Sequence, residues 1–124
     1  LGCYDGQLIE SSASGSAFFR SLADQKLYWI GNLCIYGERP RGNWPRTSLV
    51  IAQVQEEPFA LIRGSFWVVD EKGYNDSPEI QFSNFRFYQD RETAELVIFC
   101  NRYCEKGLEQ WWNSDYYRYR VEVG

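Results

Sequence analysis

The side chains that could do chemistry in this sequence are carboxylates, arginines and four cysteines, because the 124-residue chain contains no histidine. Without imidazole there is no Ser-His-Asp or Cys-His arrangement, no proton shuttle near neutral pH, and no histidine-containing zinc or haem site. Acid and base work would fall to Asp and Glu, with Arg, Lys or Tyr as electrostatic partners. Most hydrolase mechanisms are therefore excluded.

The four cysteines, Cys3, Cys34, Cys100 and Cys104, favour an oxidising compartment and two disulfides, and so predict a secreted protein. Cys100 and Cys104 have the spacing of a zinc knuckle, but Cys3 and Cys34 stand alone. We therefore expect disulfides, with neither a metal nor a cofactor. Four cysteines allow three connectivities, among which the sequence does not choose. Pairing Cys3 with Cys100 or Cys104 would close the longest loop and most restrict the unfolded chain.

Length and charge limit the kind of protein further. The chain has the size of one compact domain, so we predict a single domain over residues 1–124. Because it begins with Leu1 rather than Met, we expect that a preceding segment has been removed. No stretch approaches the roughly 20 apolar residues of a membrane span, and we expect a soluble monomer without membrane contact. The formal charge of −4 repels phosphate backbones, so RNA binding would need a local basic patch.

The hydrophobic pattern predicts one helix followed by strands. Apolar residues at helical spacing favour a short helix between Glu10 and Asp24, and later runs rich in aromatic and β-branched residues favour strands. The predicted strands are Lys26–Tyr36, Thr47–Gln55, Phe59–Asp70 with a break at Arg63-Gly64, the two arms of a hairpin around Gln89–Glu92, and a half-exposed terminal strand with Arg118 and Arg120 on its outer face. This order indicates an α+β fold, with a short N-terminal α-helix packed on a mostly antiparallel sheet.

Cys3-Tyr4-Asp5-Gly6 precedes the predicted helix, and Asn43-Trp44-Pro45-Arg46 opens the next strand. In these motifs and in its order of elements the chain resembles the fungal guanyl-specific ribonuclease fold and, more closely, the ribonuclease-like secreted effectors of powdery mildews. Residues 85–90 and 95–99 are similar to the arginine-bearing core hairpin, and Cys104 or Cys100 resembles the partner of the N-terminal cysteine. The matched region covers residues 3–104.

The resemblance implies a ribonuclease site that has lost its catalytic residues. Arg46 stands where the family has its first histidine, and the second falls near Phe99 or Cys100. Glu56 or Glu57 approximates the catalytic base, and Arg86 matches the family arginine. Since a positioned proton donor typically contributes about 10²–10⁴-fold, we expect no RNA cleavage and no enzymatic activity.

The resemblance also implies a biological role. It predicts a secreted fungal effector that is delivered into a plant cell and acts in virulence by binding host proteins, or RNA, to suppress plant immunity. For some members it further implies avirulence, that is, recognition by an intracellular immune receptor. Two segments could carry such contacts, since arginine and aromatic residues are common interface anchors. They are the loop with Arg39, Arg41, Trp44 and Arg46, and the aromatic segment with Trp111, Trp112 and Tyr116.

Two rival functions fit the same sequence. One is a secreted β-rich module that binds a carbohydrate or small ligand on exposed Trp and Tyr rings. The other is a histidine-free hydrolase in which Glu57 acts with Arg86.

Overall fold

The computed structural model describes residues 15–34, 41, 45–110, 112 and 114–123, which form eight β-strands in two antiparallel sheets. No α-helix occurs among these residues; short 3₁₀ turns lie at Arg63–Ser65 and Leu108–Gln110. The prediction of a ribonuclease-like α+β fold with an N-terminal helix is therefore wrong. Nothing helical in the described ranges has the length and apolar character to cross a membrane.

The first five strands form sheet A, and they are β1 Ala17–Arg20, β2 Leu27–Gly31, β3 Ser48–Glu56, β4 Phe59–Leu61 and β5 Trp67–Glu71. β3 lies at its centre. β2 and then β1 extend the sheet on one side of β3, while β5 and β4 pair with successive stretches of its other side. The predicted break at Arg63-Gly64 is the 3₁₀ turn between β4 and β5.

The remaining strands form sheet B in the order β6 Gln81–Gln89, β7 Glu95–Tyr103 and β8 Tyr116–Glu122. The hairpin expected around Gln89–Glu92 joins β6 to β7. β8 is the expected terminal strand, and its alternation places Arg118 and Arg120 on the outer face of the sheet.

The predicted helix does not form in its second half, because these residues form a strand that pairs with β2. Residues 17–20 form β1, in register with residues 27–30. Phe19 stacks on Tyr28 with ring centroids 5.5 Å apart and also meets Phe87 of sheet B at 5.4 Å. These aromatic contacts between strands outweigh a helical spacing that runs through serine and glycine, which are poor helix formers. The part of the predicted helix before residue 15 lies outside the described residues.

The main core lies between the sheets, and β3 is buried on both of its faces. Leu49 and Ile51 pack toward sheet B, where they meet Leu96 and Ile98, whereas Val50 belongs to a second apolar cluster on the outer face of sheet A. A strand with both faces buried has a nearly continuous run of apolar residues in its sequence. The residues from Leu49 to Ala52 in β3 form such a run.

An inward-pointing arginine closes one end of the core. Arg102 of β7 donates hydrogen bonds to Asp70 of β5 (2.8 Å), to Asp76, and to Glu105 (3.1 Å). Only 13% of its side chain is exposed. We call these four residues the Arg102 cluster. Because Asp70 belongs to sheet A and Arg102 to sheet B, the cluster joins the two sheets.

Aromatic groups complete this closure. The Arg102 guanidinium lies 5.2 Å from the ring centroid of Phe82 and 5.4 Å from that of Tyr117, both within the range of cation–π attraction. The Tyr119 hydroxyl donates to Asp70. Burial raises the pKa of Tyr119, and the bond to Asp70 raises it further.

We expect acid to lower the free energy of unfolding, and we expect the protonation of Asp76 to cause part of this loss. Burial opposes ionisation of this carboxyl, but the Gly73 N–H and the Arg102 guanidinium hold its pKa below the ordinary value. A carboxylate with a lowered pKa stabilises the fold fully above its unfolded pKa of about 3.9, and this contribution is lost as the pH falls through the lower folded pKa.

The Asp76→Asn protein should therefore have a lower free energy of unfolding at about pH 7 than the unmodified protein. Between about pH 4 and pH 2, its free energy of unfolding should fall by less than that of the unmodified protein. Urea unfolding across this range measures both effects, with the exposed Glu92→Gln as the control. The same acid dependence in Asp76→Asn and the unmodified protein would contradict the assignment.

Candidate functional site

The outer face of sheet B carries a row of basic and aromatic side chains. The strand register places Arg86 opposite Phe99 and Phe99 opposite Arg118, so their three side chains lie side by side across the sheet. Tyr88 stacks on Phe99 with ring centroids 6.4 Å apart, and Tyr116 lies farther along β8 on the same face. We call Arg86, Tyr88, Phe99, Tyr116 and Arg118 the arginine face.

The two tyrosines of this face present large apolar surfaces to solvent. Tyr88 is 53% exposed and Tyr116 is 57% exposed. The Tyr116 hydroxyl donates to the Asn84 carbonyl at 3.3 Å, which spans β7 and fixes the ring against the sheet. Aromatic rings held in place lose little entropy when a ligand packs against them.

The arginines of sheet B differ in their electrostatic partners. Arg120 is bound by Glu95 (3.2 Å) and Asp90 (3.3 Å). Within the described part of the chain, the side chains of Arg86 and Arg118 make neither an ion pair nor a hydrogen bond. Their guanidinium groups keep all their donors available for an external carboxylate or phosphate.

A second surface lies where β1 approaches β6. Here the sheets leave a groove of about 430 Å³ that is lined by Arg46 and Arg86. The Phe82 N–H donates to the Arg46 carbonyl (2.7 Å), which ties the residues before β3 to β6. We call this space the seam groove. It brings together two of the three positions to which the ribonuclease resemblance assigns a former catalytic role.

Glu57, the third of these positions, lies elsewhere. It is exposed in the turn after β3, at the end of that strand opposite to Arg46. The nine residues of β3 span about 30 Å, and the adjacent Glu56 is paired with Arg20 at 2.6 Å. Among the described residues, Glu57 and Arg86 make neither an ion pair nor a hydrogen bond with each other.

The other residues singled out from the sequence are scattered. Tyr116 is part of the arginine face, Arg41 is exposed, and Trp112 is 66% exposed. Four positions lie outside the described residues: Cys3, Arg39, Trp44 and Trp111.

Two of the cysteines expected to form disulfides, Cys100 and Cys104, are free thiols in the structure and are fully buried. Cys34 is half-buried. Burial and the charge of Asp70 raise the pKa of Cys100 to about 12, and burial raises the pKa of Cys104. Thiols of this kind react slowly because the thiolate is the nucleophile.

We expect a maleimide reagent at about pH 7 to leave Cys100 and Cys104 unmodified in the folded protein and to label both after unfolding without a reductant. Peptide mass spectrometry of the labelled chain measures this. If either cysteine stays unlabelled in the unfolded chain until a reductant is added, it forms a disulfide, as the sequence predicts, and the free-thiol assignment is wrong.

Sequence reasoning missed Tyr88 and Phe99 as surface residues and treated Arg118 as an ordinary outer residue. The alternation in β8 is a signal that Arg118 faces outward. The position of Arg86 opposite Phe99 depends on a register shift between Ser83 and Arg86. Only Asn84, a residue type that tolerates positive φ, hints at this shift in the sequence.

Among the described residues, no group of three or more carboxylate or thiol side chains is placed to hold a metal ion. The chain matches no family model, no curated protein and no solved structure. The resemblance to ribonuclease-like effectors thus stays a prediction.

Proposed function

We propose that this protein is a non-catalytic binding protein that holds an acidic segment of a partner protein on the arginine face. The observation that supports this most is the pair of exposed guanidinium groups, Arg86 and Arg118, on either side of Phe99. Each can form a bidentate bond with a carboxylate. Tyrosine and arginine are also the residue types that dominate binding energy at protein interfaces.

The spacing suits an extended peptide. Two strand separations place the Cα atoms of Arg86 and Arg118 about 10 Å apart. Alternate side chains of an extended peptide point to one face about 7 Å apart, within reach of both long side chains. Tyr88 and Tyr116 flank these charges and offer apolar contact to the residues between the carboxylates.

The chemistry favours a protein partner over a nucleic acid. A net charge of −4 opposes a polyanion at long range, whereas a short acidic segment needs only the local field. The absence of histidine and the separation of Glu57 from Arg46 along β3 support a role without catalysis.

The more specific proposal of an effector that suppresses plant immunity rested on a helix-then-sheet order that the fold does not have. It stays a prediction, and so do secretion and recognition by an immune receptor. The rival proposal of a β-rich binding module fits the all-strand architecture of the described residues better.

A labelled peptide of alternating Glu and Val residues tests the proposal by fluorescence anisotropy. We expect this acidic peptide to bind, and we expect its affinity to fall as salt is raised from about 0.05 to 0.5 M. It should bind more tightly than a Lys and Val peptide or a single-stranded oligo-dT. No binding of the acidic peptide, or tighter binding of oligo-dT, would overturn the proposal.

A further inference from the structure

The strand β8 forms an open edge of sheet B. In the described part of the chain, no strand pairs with β8 on the side away from β7. A cleft of about 790 Å³ runs along this edge, between residues 118–122 of β8 and residues 67–69 of β5. Because successive residues of a strand point to opposite faces, a space lined by successive residues lies along the edge rather than over one face.

The hydrogen bonds of β8 identify the backbone groups that face this edge. The Arg102 N–H donates to the Asp115 carbonyl at 3.1 Å, and the pairing of β7 with β8 continues from there without a register shift. Along an antiparallel strand, successive residues bond alternately to one side and to the other. The N–H and C=O groups of Arg118, Arg120 and Glu122 therefore point away from β7, and among the described residues they make no hydrogen bond.

The side-chain charges of these three residues differ in whether they are neutralised. Arg120 is bound by Glu95 and Asp90 of its own chain. Arg118 and Glu122 are exposed, and their side chains make no ion pair within the described ranges. The edge strand thus carries an unpaired positive charge and an unpaired negative charge on the same face.

We infer that β8 is a dimerisation edge, to which a second copy of this chain adds its own β8 in antiparallel orientation. With Arg120 opposite Arg120 at the twofold axis, Arg118 of each copy lies opposite Glu122 of the other, and two ion pairs form. A shift of this register by two residues places Arg118 opposite Arg120 in one direction and opposite Gly124 in the other. The unshifted register is therefore favoured by charge.

The second copy also gives the exposed apolar residues of β5 a neighbour. An added strand fills the cleft that Trp67 and Val68 line, and these residues are 62% and 46% exposed. One pair of edge strands buries less surface than a stable interface, which typically covers about 1,200–2,000 Å². The dimer should therefore form at high protein concentration, in contrast to the monomer that the sequence predicts.

Sedimentation equilibrium of the full chain between about 0.02 and 1 mM tests the dimer. We expect monomers at the lower concentration and dimers at the upper one. Amide hydrogen exchange of Arg118, Arg120 and Glu122 should slow as the concentration rises, because their N–H groups become paired. Wholly monomeric protein at about 1 mM, or a dimer without protection of these amides, would overturn the inference.

Charge reversal tests the register. Arg118→Glu and Glu122→Arg each place like charges opposite each other in both pairs, so each variant alone should dimerise at least about tenfold more weakly. An equimolar mixture of the two variants should regain the affinity of the unmodified protein, since both pairs between them have opposite charges. Arg91→Glu, in the exposed β6–β7 turn, is the control for charge. A mixture no tighter than either variant, or an equal loss in Arg91→Glu, contradicts the register.

Two variants separate the dimer from the proposed peptide binding, on which the dimer does not depend. Arg86→Gln should weaken the acidic peptide and leave the dimer unchanged, because β6 lies at the opposite edge of sheet B. Glu122→Arg should weaken the dimer and leave the peptide bound. Loss of the dimer in Arg86→Gln overturns the dimerisation edge, whereas a dimer in a protein that binds no acidic peptide overturns the proposed function alone.

Discussion

Replacing Arg102 with Met should lower the free energy of unfolding by about 3–5 kcal/mol, a cost typical of breaking a buried ion pair. Methionine fills much of the space but leaves Asp70, Asp76 and Glu105 without their common counter-charge. It also removes the cation from between the rings of Phe82 and Tyr117. The loss should appear as a shift of the urea midpoint, with the two sheets unfolding together.

Arg20→Met is the matched control for this prediction. Arg20 makes a bidentate pair with Glu56, but the two side chains are 47% and 53% exposed. Exposed pairs of this kind contribute little to stability because water and salt screen them. Adding Asp76→Asn to Arg102→Met should restore part of the lost stability, because it removes one stranded carboxylate. If Arg102→Met is no less stable than Arg20→Met, the Arg102 cluster does not hold the sheets together.

The largest expected effect on binding comes from the arginine face. Arg86→Gln and Arg118→Gln should each weaken the acidic peptide about tenfold, since a hydrogen bond to a charged group contributes about 1.5–3 kcal/mol and exposed sites fall at the lower end. The double variant should lose about a hundredfold. Both residues are exposed, so the free energy of unfolding should change little.

Arg91→Gln provides the control for net charge. Arg91 is exposed in the β6–β7 turn, away from Phe99, and its replacement makes the same change in total charge. An equal loss of affinity in Arg91→Gln would mean that the peptide responds to the overall field rather than to Arg86 and Arg118. Peptide affinity measured in the unmodified protein and the four variants at one salt concentration distinguishes these cases.

The strands that the sequence predicts correctly are those that local patterns define, and the ones it misses depend on contacts between distant residues. The β6–β7 hairpin was foreseeable because two apolar arms flank the charged turn Gln89–Glu92, and β8 because Tyr and Arg alternate along it. β1 was not foreseeable, since its assignment depends on Phe19 meeting Tyr28 and Phe87 across strands and sheets. Tertiary contacts of this kind override a weak helical spacing.

The functional surfaces follow the same rule. The outward direction of Arg118 can be derived from alternation, but its nearness to Arg86 requires the order of three strands and the bulge at Asn84. The Arg102 cluster was missed because its partners Asp70 and Asp76 lie 32 and 26 residues away. Each of these charges, taken singly, has the pattern of a solvated surface residue.

The measurement that most directly tests the arginine face is a map of backbone amide shifts on addition of the Glu and Val peptide. We expect the largest shifts on three strands of one sheet, at Arg86, Tyr88, Phe99, Tyr116 and Arg118. These shifts should be lost in the Arg86→Gln, Arg118→Gln double variant. Shifts of equal size spread over sheet A, or shifts that persist in the double variant, would contradict this expectation.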